Sequence, residues 1–315
     1  MKAAQISQYG QPDVLKINEV DRPAPGEGEV LVLVEASSVN GHDVIVRSGG
    51  LKMVSGRKFP LGTGLDFAGT VVATCPSVEA YRAGDQVWGT VHPRGRHVTG
   101  AAAEYVTVPA DRIAPVPAGI SLSDAASLVV AGTTALIALR DSTHLESRER
   151  VLVRGAAGGV GTAAVQLAHA MGAHVTALAR DRYAPALRDL GADRVLGYEA
   201  TPEETGSFDV ILDTAGSELE CYRRRLAKNG RMVTVGLSAS ALAAIALSTV
   251  HGCRRIRTFS ANPDSALLED LAGYVASGAV RPVVSSVFPL ADIAAAQEAF
   301  GRGGILGKLV IDVAA

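Results

Sequence analysis

The run VLVRGAAGGVGTAAVQLAHAMGAHVTALAR, residues 151–180, is where residue type and spacing speak most directly of chemistry. Val151–Val153 reads as a short buried strand, and the turn Gly155-Ala156-Ala157-Gly158-Gly159-Val160-Gly161 follows it. Apolar residues then recur at helical spacing (Ala164, Leu167, Ala168, Met171) as far as Gly172, and His174–Ala179 reads as a second strand. Strand, glycine turn, helix and strand in this order make the βαβ unit that cradles a dinucleotide. The turn fits A-x-G-x-x-G, with Ala156, Gly158 and Gly161 in the three key places. A small residue at 156 permits the turn, Gly158 lets the backbone approach a pyrophosphate, and Gly161 lets the helix pack closely on the strand. The first N–H groups of the helix then meet the phosphate charge. Ala156, Ala157, Gly158, Gly159, Val160 and Gly161 are therefore candidate cofactor-binding residues. The alternative is a purely structural glycine turn, which the complete βαβ frame around it disfavours.

The end of the second strand bears on which dinucleotide is bound. NAD enzymes place an acid there, roughly 20 residues past the turn, on the ribose 2′-OH. Here Arg180 takes that place, followed by Asp181 and Arg182. Two guanidinium groups suit a 2′-phosphate through charge-assisted bidentate bonds. NADPH is the expected cofactor. Asp181 keeps a ribose-hydroxyl contact open as the alternative.

These residues need a frame, and 315 residues are enough for two domains with sizeable cores. A net charge of −2 without a basic block argues against a nucleic-acid partner. The longest apolar tract, Ala239 to Val250, is too short and too punctuated by Ser and Thr to span a bilayer. The opening MKAAQISQYG lacks a signal-peptide core. Cys75, Cys221 and Cys253 are dispersed and odd in number, which fits neither a disulfide framework nor a C-x-x-C site and suits a reducing cytoplasm.

Residues 1–120 read as β-rich, with strands at Met1–Ile6, Leu15–Val20, Glu29–Val39, Gly69–Thr74, Gln86–Thr90 and Glu104–Pro109. Turns such as Pro23-Ala24-Pro25-Gly26 separate them. Residues 121–263 alternate helix and strand, with a helix over 123–130 and strands at 151–154, 174–179, 194–197, 209–212 and 231–236. That alternation predicts an α/β domain with a doubly wound parallel sheet. His251–Ser260 reads as its last strand, an edge that needs covering or pairing. The tail, 264–315, reads as helix Ser265–Ser277, strand Val283–Val287, helix Asp292–Phe300 and strand Lys308–Val313. Ligands bind outside the carboxyl ends of parallel strands, so Asp213-Thr214-Ala215-Gly216 and Val235-Gly236-Leu237 are expected to line the cofactor crevice.

Several segments, in order, resemble the medium-chain dehydrogenase/reductase superfamily in its zinc-free quinone oxidoreductase branch. They are Glu35–Asp43 with Arg47-Ser48-Gly49, Gly64–Gly69, Gly84-Asp85-Gln86-Val87, Ala101–Pro109, Ala131–Ala135, Gly191-Ala192-Asp193 and Gly307–Val310. The resemblance runs along nearly the whole chain. It implies a GroES-like β-rich catalytic domain, a Rossmann domain, and a C-terminal segment that returns to the first. It also implies pairing of two Rossmann edges in a homodimer.

Zinc-dependent relatives hold their metal with Cys, His and Cys. The matching positions here are Asn40, Leu65 and Val130, none of them a plausible ligand, so no metal is expected. The remaining chemistry is hydride transfer from NADPH to a quinone or an α,β-unsaturated carbonyl. Asn40 stands where a zinc ligand is lost, and its amide is the candidate donor to a substrate oxygen. The plain alternative is an Asn shaping the turn at Val39-Asn40-Gly41. Thr134 matches a threonine beside the nicotinamide, and otherwise would bond its own helix backbone. Asp43 and Arg47 are expected mainly to fix the loop. Asp43, Ile45, Leu51, Leu65 and His92 fall around the substrate position, and Tyr198 matches a tyrosine near the adenosine phosphate. The tyrosines that quinone reductases carry near the cleft are replaced around Ile45 and Leu51, so an enone or a polyketide intermediate fits as well as a quinone. His92 and His97 are candidate proton donors in a loop over the cleft. Two other classes stay open: a pathway-specific enoyl reductase, and a redox-inactive binding protein on the same fold.

Overall fold

Glu29–Ser38, with sequence EVLVLVEASS, shows how the first part of the chain folds. Its valines and small residues suit a pleated surface, and it is buried along most of its length because strands pair on both sides of it. Of the 315 residues, the computed structural model describes 1–50, 52, 58–91, 99–236 and 239–315. Eight strands come first: β1 (Lys2–Ile6), β2 (Leu15–Glu19), β3 (Glu29–Ser38), β4 (Leu61–Gly62), β5 (Asp66–Thr74), β6 (Gln86–Thr90), β7 (Tyr105–Pro109) and β8 (Ile113–Pro115). Six follow: β9 (Arg150–Arg154), β10 (His174–Leu178), β11 (Arg194–Leu196), β12 (Phe208–Asp213), β13 (Leu226–Thr234) and β14 (Ile256–Arg257). The chain ends with β15 (Val284–Pro289) and β16 (Lys308–Asp312). Three helices matter most below: α1 (Gly41–Arg47), α2 (Leu122–Leu136) and α3 (Gly159–Ala170).

The chain divides into two units. The first holds residues 1–130, 262–276 and 282–315. Its seven-stranded sheet runs β15-β16-β3-β5-β6-β8, with β7 also on β3, and a small sheet runs β2-β1-β4. Val32, Phe67, Val71, Ile113, Leu309 and Ile311 are among its core residues. The second unit holds residues 131–261 and 277–281. Its six strands are all parallel in the order β11-β10-β9-β12-β13-β14, around a core that includes Leu152, Leu178, Ile211 and Met232. This is the doubly wound arrangement, with its switch point between β9 and β12.

Several elements differ from the sequence reading. The division falls at 130/131 rather than 120/121, within α2, which extends over 122–136 and continues in π geometry over Ile137–Ser142. Among the described residues 122–142 is the one helix long and apolar enough to cross a membrane, yet 72% of its apolar 18-residue portion is buried inside the protein. The last strand of the parallel sheet is two residues, not ten. Gly252, at φ 59°, turns Thr249–Arg254 into a short irregular helix before it. Residues 41–47 are a helix, not only a turn, and β4 and β8 are additional short strands.

Candidate active site

In the second unit the switch point brings the glycine turn after β9 beside the turn after β12. Gly155 has φ 70°, which favours glycine, and a Cβ there would lie 2.2 Å from Thr214 Oγ1. At Gly161 a Cβ would strike Gly155 O at 2.3 Å and Ala156 Cα at 2.6 Å, so only glycine lets α3 start this close to the strand. At Gly158 the nearest atom to a Cβ is Gly155 O at 3.5 Å, and the space over the turn stays open. Gly158 caps α3 without a side-chain bond. Gly159, Val160 and Gly161 form the first turn, so their N–H groups have no partner within the helix. An open backbone cradle at the N-terminus of a 12-residue helix fits a pyrophosphate.

The neighbouring turn is held by a network the sequence does not announce. Arg154, at the end of β9, is buried and donates to Asp213 Oδ1 and, at 2.6 Å, to Ser217 O. Its guanidinium stacks 3.7 Å from the Tyr222 ring centroid. Asp213 Oδ2 accepts from Gly216 N and Thr234 Oγ1, each at 2.8 Å. One carboxylate thus ties β9, β12 and β13 together at their carboxyl ends. Ala215 is exposed, and Gly216 packs against Gly236, where a Cβ would lie 2.5 Å from Gly216 N. Val235 is half-buried and donates to Asp213 O at 2.9 Å.

Arg180 and Arg182 are exposed just past β10, with Arg182 donating to Tyr183 Oη at 2.7 Å. Asp181 lies against Gly197, where a Cβ would meet its Oδ1 at 2.5 Å. Tyr198 is exposed; the partial burial of its ring raises its hydroxyl, and the Arg154 and Arg180 charges pull against that. Thr134 is buried near the end of α2 and makes no side-chain hydrogen bond among the described residues, so its hydroxyl is not spent on its own helix.

In the first unit, β3 delivers Asn40 to the start of α1. Asn40 N donates to Asp43 Oδ2 at 2.8 Å, and Gly64 N donates to Asp43 Oδ1 at 3.1 Å. Asn40 Nδ2 donates to Ser38 O at 3.2 Å, while Asn40 Oδ1 accepts from Lys308 Nζ at 2.7 Å. Asp66, wholly buried, accepts from Ser38 N and Ser38 Oγ and lies 3.7 Å from Lys308 Nζ. Burial pushes the Asp43 carboxyl up to about 7, and Asp66 pushes the same way. The Asn40 and Gly64 N–H groups and Lys308 pull against it. Burial holds the Lys308 ammonium below its ordinary value, opposed by Asp66 and Asp43. Arg47 donates to Gln297 Oε1 at 2.7 Å and to Gly10 O, and Gln297 reaches Thr63 Oγ1 at 3.1 Å. Arg47 therefore ties α1 to other elements of this unit.

The first unit thus brings together Asn40 and Asp43 with Asp66 and Lys308. Lys308 escaped the sequence reading; a lysine opening the strand KLVID on buried neighbours is the signal that could have found it. Ile45 and Leu65 are half-buried in the same unit. Leu51, His92, His97 and Leu237 lie outside the described residues. Among the described residues no group of three or more His, Cys, Asp or Glu is arranged to hold a metal ion.

Known proteins resemble the chain along its whole length. A family model described as alcohol dehydrogenase GroES-like domain matches residues 26–118, and one described as zinc-binding dehydrogenase matches residues 190–311. The mitochondrial NAD(P)H oxidoreductase RTN4IP1 of Danio rerio is 30% identical, over 99% of this chain and 91% of its own. The structure of the quinone oxidoreductase from Coxiella burnetii superposes with a TM-score of 0.88, at 30% identity and 99% of both chains. The CurK enoyl reductase superposes with a TM-score of 0.84, at 25% identity, over 99% of this chain and 98% of its own.

Proposed function

The chain belongs to the medium-chain dehydrogenase/reductase superfamily, in its quinone oxidoreductase branch, and on that premise we propose that it reduces a quinone or an α,β-unsaturated carbonyl with NADPH and without zinc. When bound, NADPH supplies the hydride. The chain's own residues do the rest. The N–H groups of Gly159, Val160 and Gly161 hold the pyrophosphate. Arg180 and Arg182, with Tyr198 nearby, hold the 2′-phosphate. Thr134, whose hydroxyl is unspent, would contact the nicotinamide. Asn40 donates an amide N–H to the substrate oxygen as negative charge grows there. Zinc is left out because Asn40, Leu65 and Val130 occupy the ligand positions and none of them binds that ion.

The observation that carries this reading is the cradle after β9, open at Gly158, closed tightly at Gly161 and followed past β10 by two guanidinium groups. Its test is NADPH oxidation against a panel of quinones and enones, with NADH in parallel and a chelator present. Turnover that prefers NADPH supports the reading. Absence of turnover with every acceptor points to the redox-inactive alternative. A second reading, an enoyl reductase acting on a pathway intermediate, is favoured by the likeness to the CurK enoyl reductase. A kcat/KM for enones far above that for quinones would decide for it. We further propose that the enzyme works as a homodimer in the cytoplasm.

A further inference from the structure

A buried charge needs a reason, and Lys308 sits wholly within the first unit. Its Nζ lies 2.8 Å from Val39 O, 2.7 Å from Asn40 Oδ1 and 3.7 Å from Asp66 Oδ2. An ammonium has three donors and no acceptor, so whatever faces it on Asn40 must be oxygen. That fixes the orientation of the amide, which geometry alone often leaves open. Oδ1 turns to Lys308, one N–H goes to Ser38 O, and the second N–H has no partner among the described residues. Asp66 balances the charge and is itself held by Ser38. An apolar residue at 308 would avoid the desolvation cost of this ion pair, so stability alone is a poor reason for it.

We propose that Lys308 is a positioning residue for Asn40: its ammonium holds the amide with the oxygen inward and the NH₂ presented to the substrate oxygen, and polarises it into a stronger donor. Hydrogen bonds in series strengthen one another in this way. The carboxyl groups facing it are Asp66, at the start of β5, and Asp43, on α1. The inference rests on Asn40 being the donor to substrate, and the test separates the two.

The variants are Asn40→Ala, Asn40→Asp, the pair Lys308→Met with Asp66→Asn, and all three sites combined. The paired change avoids leaving Asp66 as a stranded buried carboxylate. Asn40→Ala should lower kcat by about 10²–10³. The paired change should lower kcat by about 10–100-fold, as for a lost charged hydrogen bond, with KM for NADPH unchanged. In the Asn40→Ala background the paired change should lower kcat by no more than about twofold, because its effect passes through Asn40. Asn40→Asp gives a readout without turnover. A carboxylate oxygen facing the ammonium, although the bond to Ser38 O is lost with the amide N–H, should hold Tm at pH 8 above that of Asn40→Ala while kcat falls as it does there. Full turnover in Asn40→Ala overturns the reading of Asn40 itself. Loss in Asn40→Ala with full kcat in the paired variant, or losses that multiply, overturns the role of Lys308 alone. If the paired variant does not fold, Asn40→Asp decides: a Tm at pH 8 no higher than that of Asn40→Ala shows that the ammonium does not face position 40.

Discussion

Among the described residues Asp43 carries the clearest pH signature. Its carboxyl is buried with both oxygens bonded, and burial lifts it from an ordinary 3.8 to about 7. Between about pH 4 and pH 7 the folded chain keeps a proton that the unfolded chain has released. The stability this contributes is whole below about pH 4 and is lost as pH rises through 7. Asp43→Asn is neutral throughout and removes the titration. The Tm of the wild type minus that of Asp43→Asn should therefore fall between pH 4 and pH 8, by an amount worth a few kcal/mol at most; a flat or rising difference contradicts the assignment. At Thr134 the expected effect is smaller than at Asn40. Thr134→Val keeps the shape and loses one hydroxyl, so kcat should fall by roughly tenfold, the scale of one neutral hydrogen bond. Steady-state kinetics at saturating NADPH measures it, and a loss as large as that of Asn40→Ala would give Thr134 the greater share of the chemistry. Losses at Asn40 should also be larger with enones, whose charge gathers on one oxygen, than with quinones, whose ring spreads it.

The turn past β10 is the element that should choose between NADPH and NADH. Removing both guanidinium groups, as Arg180→Ala with Arg182→Ala, should raise KM for NADPH by about tenfold or more and leave KM for NADH nearly unchanged. Equal loss for both cofactors would assign these arginines to the solvent, with Asp181 on the ribose. Much of this architecture was readable from the chain. Gln86–Thr90 is a strand with the bounds its sequence predicts, and the βαβ unit around Gly155–Gly161 lies where glycine spacing and helical periodicity put it. What the chain concealed depends on distant partners. The two-residue β4 exists only by pairing with β1, and β8 only by pairing with β6. The Arg154–Asp213 pair needs β9 beside β12, which strand order decides and local pattern does not. Nothing in the sequence marks Lys308, at the start of a strand, as buried, because lysine seldom is; only the return of β16 against β3 puts it under Asn40. The edge strand is shorter than the alternation of Ile256, Thr258 and Ser260 predicts, and Gly252 turns the chain just before it.

For the molecule as a whole, the edge at β14 predicts assembly. Next to it Leu242, Leu247 and Val250 are exposed, at 56%, 74% and 82%, and such an apolar stretch beside an open sheet edge invites a partner. A second copy meeting it across a two-fold axis gives a homodimer. Light scattering at micromolar concentration should give twice 32.4 kDa, and Leu247→Asp with Val250→Asp should give monomers; a wild type that stays monomeric at every concentration rules the dimer out. The central step is the passage of hydride from NADPH to the acceptor without zinc. The direct measurement uses NADPH deuterated at C4 of the nicotinamide, an enone acceptor, and enzyme treated with a strong chelator and checked by elemental analysis. The prediction is full turnover with less than stoichiometric zinc, and deuterium carried to the carbon β to the carbonyl of the product. Turnover that disappears with the metal and returns with added zinc, or a product whose β-carbon hydrogen comes from water, would contradict it.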